Sequence, residues 1–157
     1  MDRICLSDLV AEEEICGEDR KETAELKRML GRAKEYISSF PWCPPISRVY
    51  MGIGIGGVVA VFLMEFREKV GGSDRYLWVI EGDLPSAYLV SDNAPDAMAA
   101  LRIYCDLMEE WVSAVRAGKS VAELVPVEAP DDEKHAAMLS RRIEFIRAKI
   151  LGRRSDE

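Results

Sequence analysis

The sequence lacks the residue sets on which most metal and disulfide sites depend. It has one histidine, His135, and its four cysteines form no C-x-x-C pair: Cys5, Cys16, Cys43 and Cys105. A zinc site with mixed cysteine and histidine ligands at the usual spacing therefore cannot be assembled. We predict free thiols in a reducing cytoplasm, and neither a metal nor a cofactor.

Clustered positive charge is also missing. The net charge is −7, and residues 1–19 carry their acidic side chains against Arg3 alone. Phosphate contacts need clustered lysine and arginine, so we expect no nucleic-acid partner. A basic protein partner would suit the acidic leader, while a solvated and partly mobile terminus explains the same charges.

Long apolar runs are absent as well. The longest, near Ile53–Met64, is interrupted by glycines and is too short to cross a bilayer as a helix. The N-terminus has no basic segment followed by an apolar one, which excludes an ordinary signal peptide. We expect no membrane contact, and one domain over residues 20–151 behind an acidic leader at residues 1–19.

The sequence does contain a central stretch, residues 46–90, that is rich in β-branched and aromatic side chains. Alternating apolar positions predict a first strand at Val49, Met51, Ile53 and Ile55. Further apolar segments predict strands at residues 58–66, 75–81 and 86–90, and their short connections favour an antiparallel meander. Helical spacing predicts one helix from about residue 20 and two after the sheet. The predicted fold is α+β, a four-stranded meander sheet with an N-terminal and two C-terminal helices packed on it.

The run Gly52–Gly57 satisfies the pattern G-x-G-x-x-G. In dinucleotide sites this loop lies between a strand and a helix, whose N-terminus receives the pyrophosphate. Here the next residues, Val58–Phe62, favour a strand, so we interpret the run as a glycine-faced strand entering a tight hairpin. Such a face permits close approach of a helix, a ring or a ligand. Three aromatic side chains are candidates to lie on it: Trp42, Tyr76 and Trp78.

Few other side chains suggest chemistry. Cys43 has no convincing base or cation nearby, which favours a structural role over a nucleophilic one. Glu81 and Asp83 bracket Gly82 at a strand end, where acids sometimes act in catalysis and more often cap turns or pair with arginine. We assign no catalytic and no metal-binding residue. The candidate ligand or partner surface comprises Trp42, Cys43, Tyr50, Gly52, Gly54, Gly56, Trp78, Glu81 and Asp83.

The run from Phe40–Cys43 through the glycine-rich strand to Trp78–Leu89 resembles a family of uncharacterised small bacterial proteins. The resemblance covers about residues 20–151 and implies a single-domain cytoplasmic protein of bacterial origin. The family brings no established activity and no catalytic residues. In size and charge the chain is also loosely similar to toxin-neutralising immunity proteins, which is an argument by analogy.

The middle strands are apolar on both faces, yet few helices are available to cover them. We therefore expect one sheet face to be closed by the Trp42 loop, by a second copy or by a partner. The leading hypothesis is a non-enzymatic, immunity-like module that binds and neutralises another protein. The alternatives are a small-ligand-binding protein or unrecognised enzyme with a site over residues 50–57, and a homodimer.

Overall fold

A computed structural model describes residues 8–70, 74–127 and 129–152. The predicted α+β class with an antiparallel sheet is confirmed. Contacts group the chain into two compact units, Met1–Leu101 and Arg102–Glu157. The prediction of one domain over residues 20–151 stays a prediction, and the two units are described separately.

The first unit contains a five-stranded antiparallel sheet whose spatial order follows the chain. Its strands are β1 (Val10–Ala11), β2 (Ile46–Ile55), β3 (Val59–Val70), β4 (Asp74–Gly82) and β5 (Ala87–Val90). The predicted meander is confirmed as β2 to β5, but the predicted count of four strands is wrong. The fifth strand, β1, comes from the acidic leader and pairs with Tyr50 and Met51. Two residues are too few to produce a recognisable alternation.

Helix α1 (Arg20–Ser38) covers one face of this sheet. It begins where the Asp19 side chain accepts a hydrogen bond from the Glu22 amide at 2.8 Å, an N-cap that satisfies one free donor of the first turn. Its apolar stripe is fully or nearly fully buried against the sheet: Leu26, Met29, Leu30, Ala33 and Ile37. The predicted helix from about residue 20 is thus confirmed.

The glycine-rich strand is not regular. Between Met51 and Ile53 the register of β2 against β3 slips, so that Gly52 and Ile53 together lie opposite Val61. This is a β-bulge, and one extra residue exchanges the two faces of every residue beyond it. The predicted single row of glycines is therefore wrong, because Gly52 faces one side of the sheet and Gly54 the other.

Both faces of the middle strands are buried. Away from α1, the side chains of Val61, Leu63, Trp78 and Ile80 have no exposed surface. The Trp78 indole N–H donates to the Ala94 carbonyl at 2.8 Å, so its one polar atom is satisfied. Because few helices were predicted, we expected one apolar face of the sheet to be left uncovered by them. No such large uncovered face is present among the described residues.

Helix α2 (Ala97–Arg116) begins in the first unit and continues into the second. The second unit also contains α3 (Glu133–Ile146), which runs on into a π-helical turn at Arg147–Leu151. There Arg147 binds Asp106 at 2.7 Å and Glu109 at 2.9 Å, which fixes the end of α3 to α2. None of the described helices has both the length and the apolar character needed to cross a membrane.

Candidate partner-binding site

A tight turn follows α1 and presents Trp42. Pro41 cannot continue a helix, and proline suits the second position of a β-turn because its φ angle is already fixed. The turn closes when the Cys43 amide donates to the Phe40 carbonyl at 3.1 Å. Trp42 therefore lies at the third position of the turn, where 44% of its surface stays exposed.

Three rings from this turn and from β5 contact one another. Trp42 stacks on Phe40 at 5.3 Å, with 23° between the ring planes. The Tyr88 ring lies 5.2 Å from both, edge-on to Phe40. Tyr36 of α1 adds an edge contact to Phe40 at 5.3 Å. We call these four residues the aromatic edge, since they border β5, the last strand of the sheet. Mutual packing holds the Trp42 ring in place although nearly half of it is exposed.

A cavity of about 360 Å³ opens beside the aromatic edge. Its lining is mostly apolar and comes from the turn and three strands: Trp42, Lys69, Val70, Leu77, Tyr88 and Val90. Val90 is 47% exposed, so part of this apolar lining is open to solvent. Of the described residues in this lining, Lys69 is the one that carries a charge. The cavity can therefore receive apolar side chains together with one negative group.

The space above the glycines is occupied by the chain itself. A Cβ atom at Gly52 would clash with the Ala97 methyl, and one at Gly54 would clash with the Met51 side chain and lie 3.0 Å from Leu26. At Gly56 it would meet the Glu22 side chain at 2.7 Å. These glycines admit helices α1 and α2, as their lack of side chains permits. They leave no room for a ligand.

The glycine-rich loop does hold an anion, one that belongs to the protein. The Gly56 amide donates to the Glu22 carboxylate at 3.0 Å, and the Glu18 amide donates to it at 2.8 Å. The hydrogen bond from Glu18, and then that from Gly56, lower the pKa of Glu22 below its ordinary value. The residues after Gly57 form β3, which confirms the predicted hairpin in place of a dinucleotide loop.

Tyr50 and Trp78 lie elsewhere. Tyr50 is on the bulged strand β2, where its side chain accepts a hydrogen bond from Arg48 and so raises the pKa of that guanidinium. Trp78 is buried within the sheet. The prediction that Trp42, Tyr76 or Trp78 lies over the glycines is wrong, because the atoms nearest to Gly52, Gly54 and Gly56 belong to other residues.

Glu81 and Asp83 lie by the β4 to β5 turn. Glu81 is 5% exposed and accepts a hydrogen bond from the Ser86 hydroxyl at 2.7 Å, with Arg32 at 3.6 Å. Asp83 is exposed, and its amide donates to the Val58 carbonyl at 3.0 Å. Gly82, between them, has φ of 156°, and a side chain there would collide with that same carbonyl. Both acids thus take part in the structure of the turn.

Cys43 is half-buried in the Phe40–Cys43 turn. Its S–H donates weakly to the Pro44 carbonyl at 3.3 Å, and burial raises the pKa of the thiol above its ordinary value. A reactive thiolate needs the opposite shift. The residues brought together at the β5 edge are thus Trp42 and Cys43, and the other predicted site residues are distributed over the sheet.

Sequence reasoning missed most of this site. Lys69, Val70, Leu77, Tyr88 and Val90 come from separate strands, and their meeting depends on strand order. One signal was available: the predicted last strand is apolar and carries no charge, although edge strands normally do. That pattern marks an edge that can contact something else.

Among the described residues, no group of three or more histidine, cysteine, aspartate or glutamate side chains is placed to hold a metal ion. Comparisons with protein-family models, curated proteins and solved structures found no match to this chain.

Proposed function

We propose that this protein is a non-enzymatic interaction module that binds another protein through its aromatic edge. The observation that carries the proposal is the exposed Trp42 ring, held against Phe40 and Tyr88 beside an apolar cavity. Tryptophan and tyrosine dominate the binding energy of protein interfaces, because they offer large rigid area at little entropic cost.

The surroundings of Trp42 support a partner rather than a reaction. The neighbouring thiol, Cys43, has a raised pKa, and among the described residues of the cavity lining only Lys69 and Tyr88 are ionisable. General acid–base or nucleophilic catalysis needs paired groups within hydrogen-bond reach of each other. The finer hypothesis, immunity-like neutralisation of the partner, belongs to the same proposal and rests on analogy.

The test compares matched surface variants as baits in an extract of the native host. Trp42→Ala and Val90→Ser alter the proposed surface, whereas Phe145→Ser removes an aromatic ring of similar exposure, 46%, from the second unit. We expect a protein retained by the wild type and by Phe145→Ser, and lost from the other two. That protein is then purified, and calorimetry should show a loss of roughly 30-fold or more in affinity for Trp42→Ala.

Retention of every captured protein by Trp42→Ala, or calorimetric affinities within twofold, would contradict the proposal. The activity of the purified partner with and without one equivalent of this protein then tests neutralisation. Unchanged partner activity would leave an interaction module that does not neutralise.

A further inference from the structure

The two outer strands of the sheet differ in how they are protected. β1 is two residues long and is followed directly by Glu12–Glu14, so that side of the sheet is short and acidic. β5 consists of Ala87–Val90, with no charged residue and no proline. Soluble proteins normally block an open edge with charge, proline or a very short strand. β1 follows this rule and β5 does not.

Among the described residues, no strand pairs with the outer side of β5. On its inner side β5 pairs with β4, from Ile80–Ala87 to Leu77–Val90. In an antiparallel ladder, alternate residues of an edge strand direct their N–H and C=O groups away from the neighbour. An extended segment can therefore pair with β5 as a further strand.

Side chains of such a strand would reach the cavity. Tyr88 and Val90 are two residues apart and both line it, so they share the face on which α1 lies. A strand added to β5 sits about 4.8 Å away and places every second side chain beside them. Long apolar side chains at those positions would contact Trp42, Tyr88 and Val90.

The positive charge in the cavity indicates that the added strand also carries an acidic side chain. Lys69 is exposed and lines the same cavity as Val90 and Trp42. A glutamate entering there would lay its methylene groups on the apolar lining and its carboxylate against the ammonium group. Pairing with β5 of a second copy would offer nothing equivalent, because β5 contains no acidic residue.

We infer that the partner contributes an extended acidic–apolar segment that adds to β5 as a sixth strand. Alternate side chains of this segment, one long and apolar and one acidic, occupy the cavity between Trp42 and Lys69. Main-chain hydrogen bonds to β5 supply affinity and the cavity supplies specificity, as in other cases of strand addition. This inference rests on the proposed function, since it names what the aromatic edge binds.

The probe is a synthetic peptide chosen by selection. A random heptapeptide library displayed on phage is selected on the immobilised full chain and counter-selected on Trp42→Ala. We expect sequences in which an acidic residue and a large apolar residue are separated by one position. Binding of the synthetic peptide is measured by fluorescence, because Trp42 is exposed while Trp78 and Trp111 are 0% and 2% exposed.

Two chemically modified peptides separate strand addition from other modes. Each carries N-methyl groups on alternate amides, in opposite phase. Pairing along one edge uses only one of the two sets, so one peptide should bind at least about tenfold more weakly and the other within about twofold of the parent. The Lys69→Glu protein should bind the parent peptide about tenfold more weakly than the wild type does. It should bind more tightly to a peptide in which lysine replaces the acidic residue.

Equal effects of the two methylated peptides, or no response to Lys69→Glu, would overturn the inference. So would the recovery of no peptide that depends on Trp42, or of sequences without an acid. If the host partner still requires Trp42 in these cases, strand addition fails while the proposed function stands. If the partner binds Trp42→Ala normally, both fail.

Discussion

At the scale of single residues, the carboxylate of Glu22 ties the start of α1 to the β2–β3 hairpin. Its oxygens accept from the Gly56 and Glu18 amides, and these hydrogen bonds hold the pKa of Glu22 below its ordinary value of 4.5. A carboxyl group with a lowered pKa stabilises the folded state above the unfolded-state pKa and loses that contribution as the pH falls.

We therefore expect Glu22→Gln to unfold at a lower urea concentration than the wild type at pH 7. The difference should shrink progressively as the pH falls below 4.5, because the wild-type carboxylate is then protonated. Urea midpoints across this pH range measure it. Glu35→Gln, on the exposed side of the same helix, serves as the control. A difference in urea midpoint that stays constant down to pH 3 would show that hydrogen bonds to the ionised Glu22 carboxylate do not contribute to stability.

Exposure and pKa should determine the order in which the thiols react. Cys16 is exposed, burial raises the pKa of Cys43, and burial raises the pKa of Cys105 to about 12. Because alkylation requires the thiolate, we expect that, of these three described cysteines, iodoacetamide modifies Cys16 first, Cys43 more slowly and Cys105 only after unfolding. The rate at Cys43 should still increase with pH above 9.0, the ordinary value. Peptide mass mapping follows each site. Modification of Cys43 as fast as Cys16 at pH 7 would favour a reactive nucleophile instead.

At the scale of elements, Gly52 at the bulge of β2 lies against Ala97, the first residue of α2, whereas Gly31 of α1 has no close neighbour among the described residues. A methyl group at Gly52 would meet the Ala97 methyl and approach Leu9 to 3.1 Å, whereas one at Gly31, on the exposed side of α1, has nothing within 4 Å. Gly52→Ala should cost about 1–3 kcal/mol of stability by overpacking. Gly31→Ala should add about 0.5–1 kcal/mol through helix propensity. Denaturant midpoints should decrease for Gly52→Ala and increase for Gly31→Ala. An unchanged midpoint for Gly52→Ala would mean that Ala97 can move away without a loss of stability.

The same strand shows how far the sequence predicts an element. Val49 and Met51 predicted β2 correctly. The bulge could not be predicted, because isoleucine and glycine continue to alternate across it and only the pairing with β3 reveals the slip. The site is comparable: Trp42 stands out in the sequence, whereas Lys69 and Val90 become its neighbours only through the arrangement of strands.

At the scale of the whole molecule, the described residues expose little large apolar surface. Such side chains with substantial exposure are Val10, Trp42, Val90 and Phe145. Obligate dimers bury a much larger and more continuous apolar area, roughly 2,000 Å² or more. We thus expect a 17.6 kDa monomer by light scattering at micromolar concentrations. A mass of twice this value that Val90→Asp reduces to the monomer would instead indicate pairing through β5.

The charge of the molecule is compatible with both partner hypotheses. Within the acidic leader, Glu12 already pairs with Lys34 at 2.6 Å, while Glu13 and Glu14 are exposed. A basic partner at the leader and an acidic segment at β5 would bind at opposite edges of the sheet, since β1 and β5 are its first and last strands. Raising the salt concentration should weaken either contact, and Lys69→Glu should change only the second.

The strand order, which equals the chain order, also determines how quickly the sheet can form. Strands β2 to β5 pair with their immediate successors across short connections, so each hairpin closes a small loop. Only β1 must wait for a distant segment, since α1 lies between it and β2. We expect the meander to form first, with the milliseconds typical of mixed topologies of low contact order, and β1 to dock last. Pulsed hydrogen exchange should then protect the amides of β3 and β4 before those of β1.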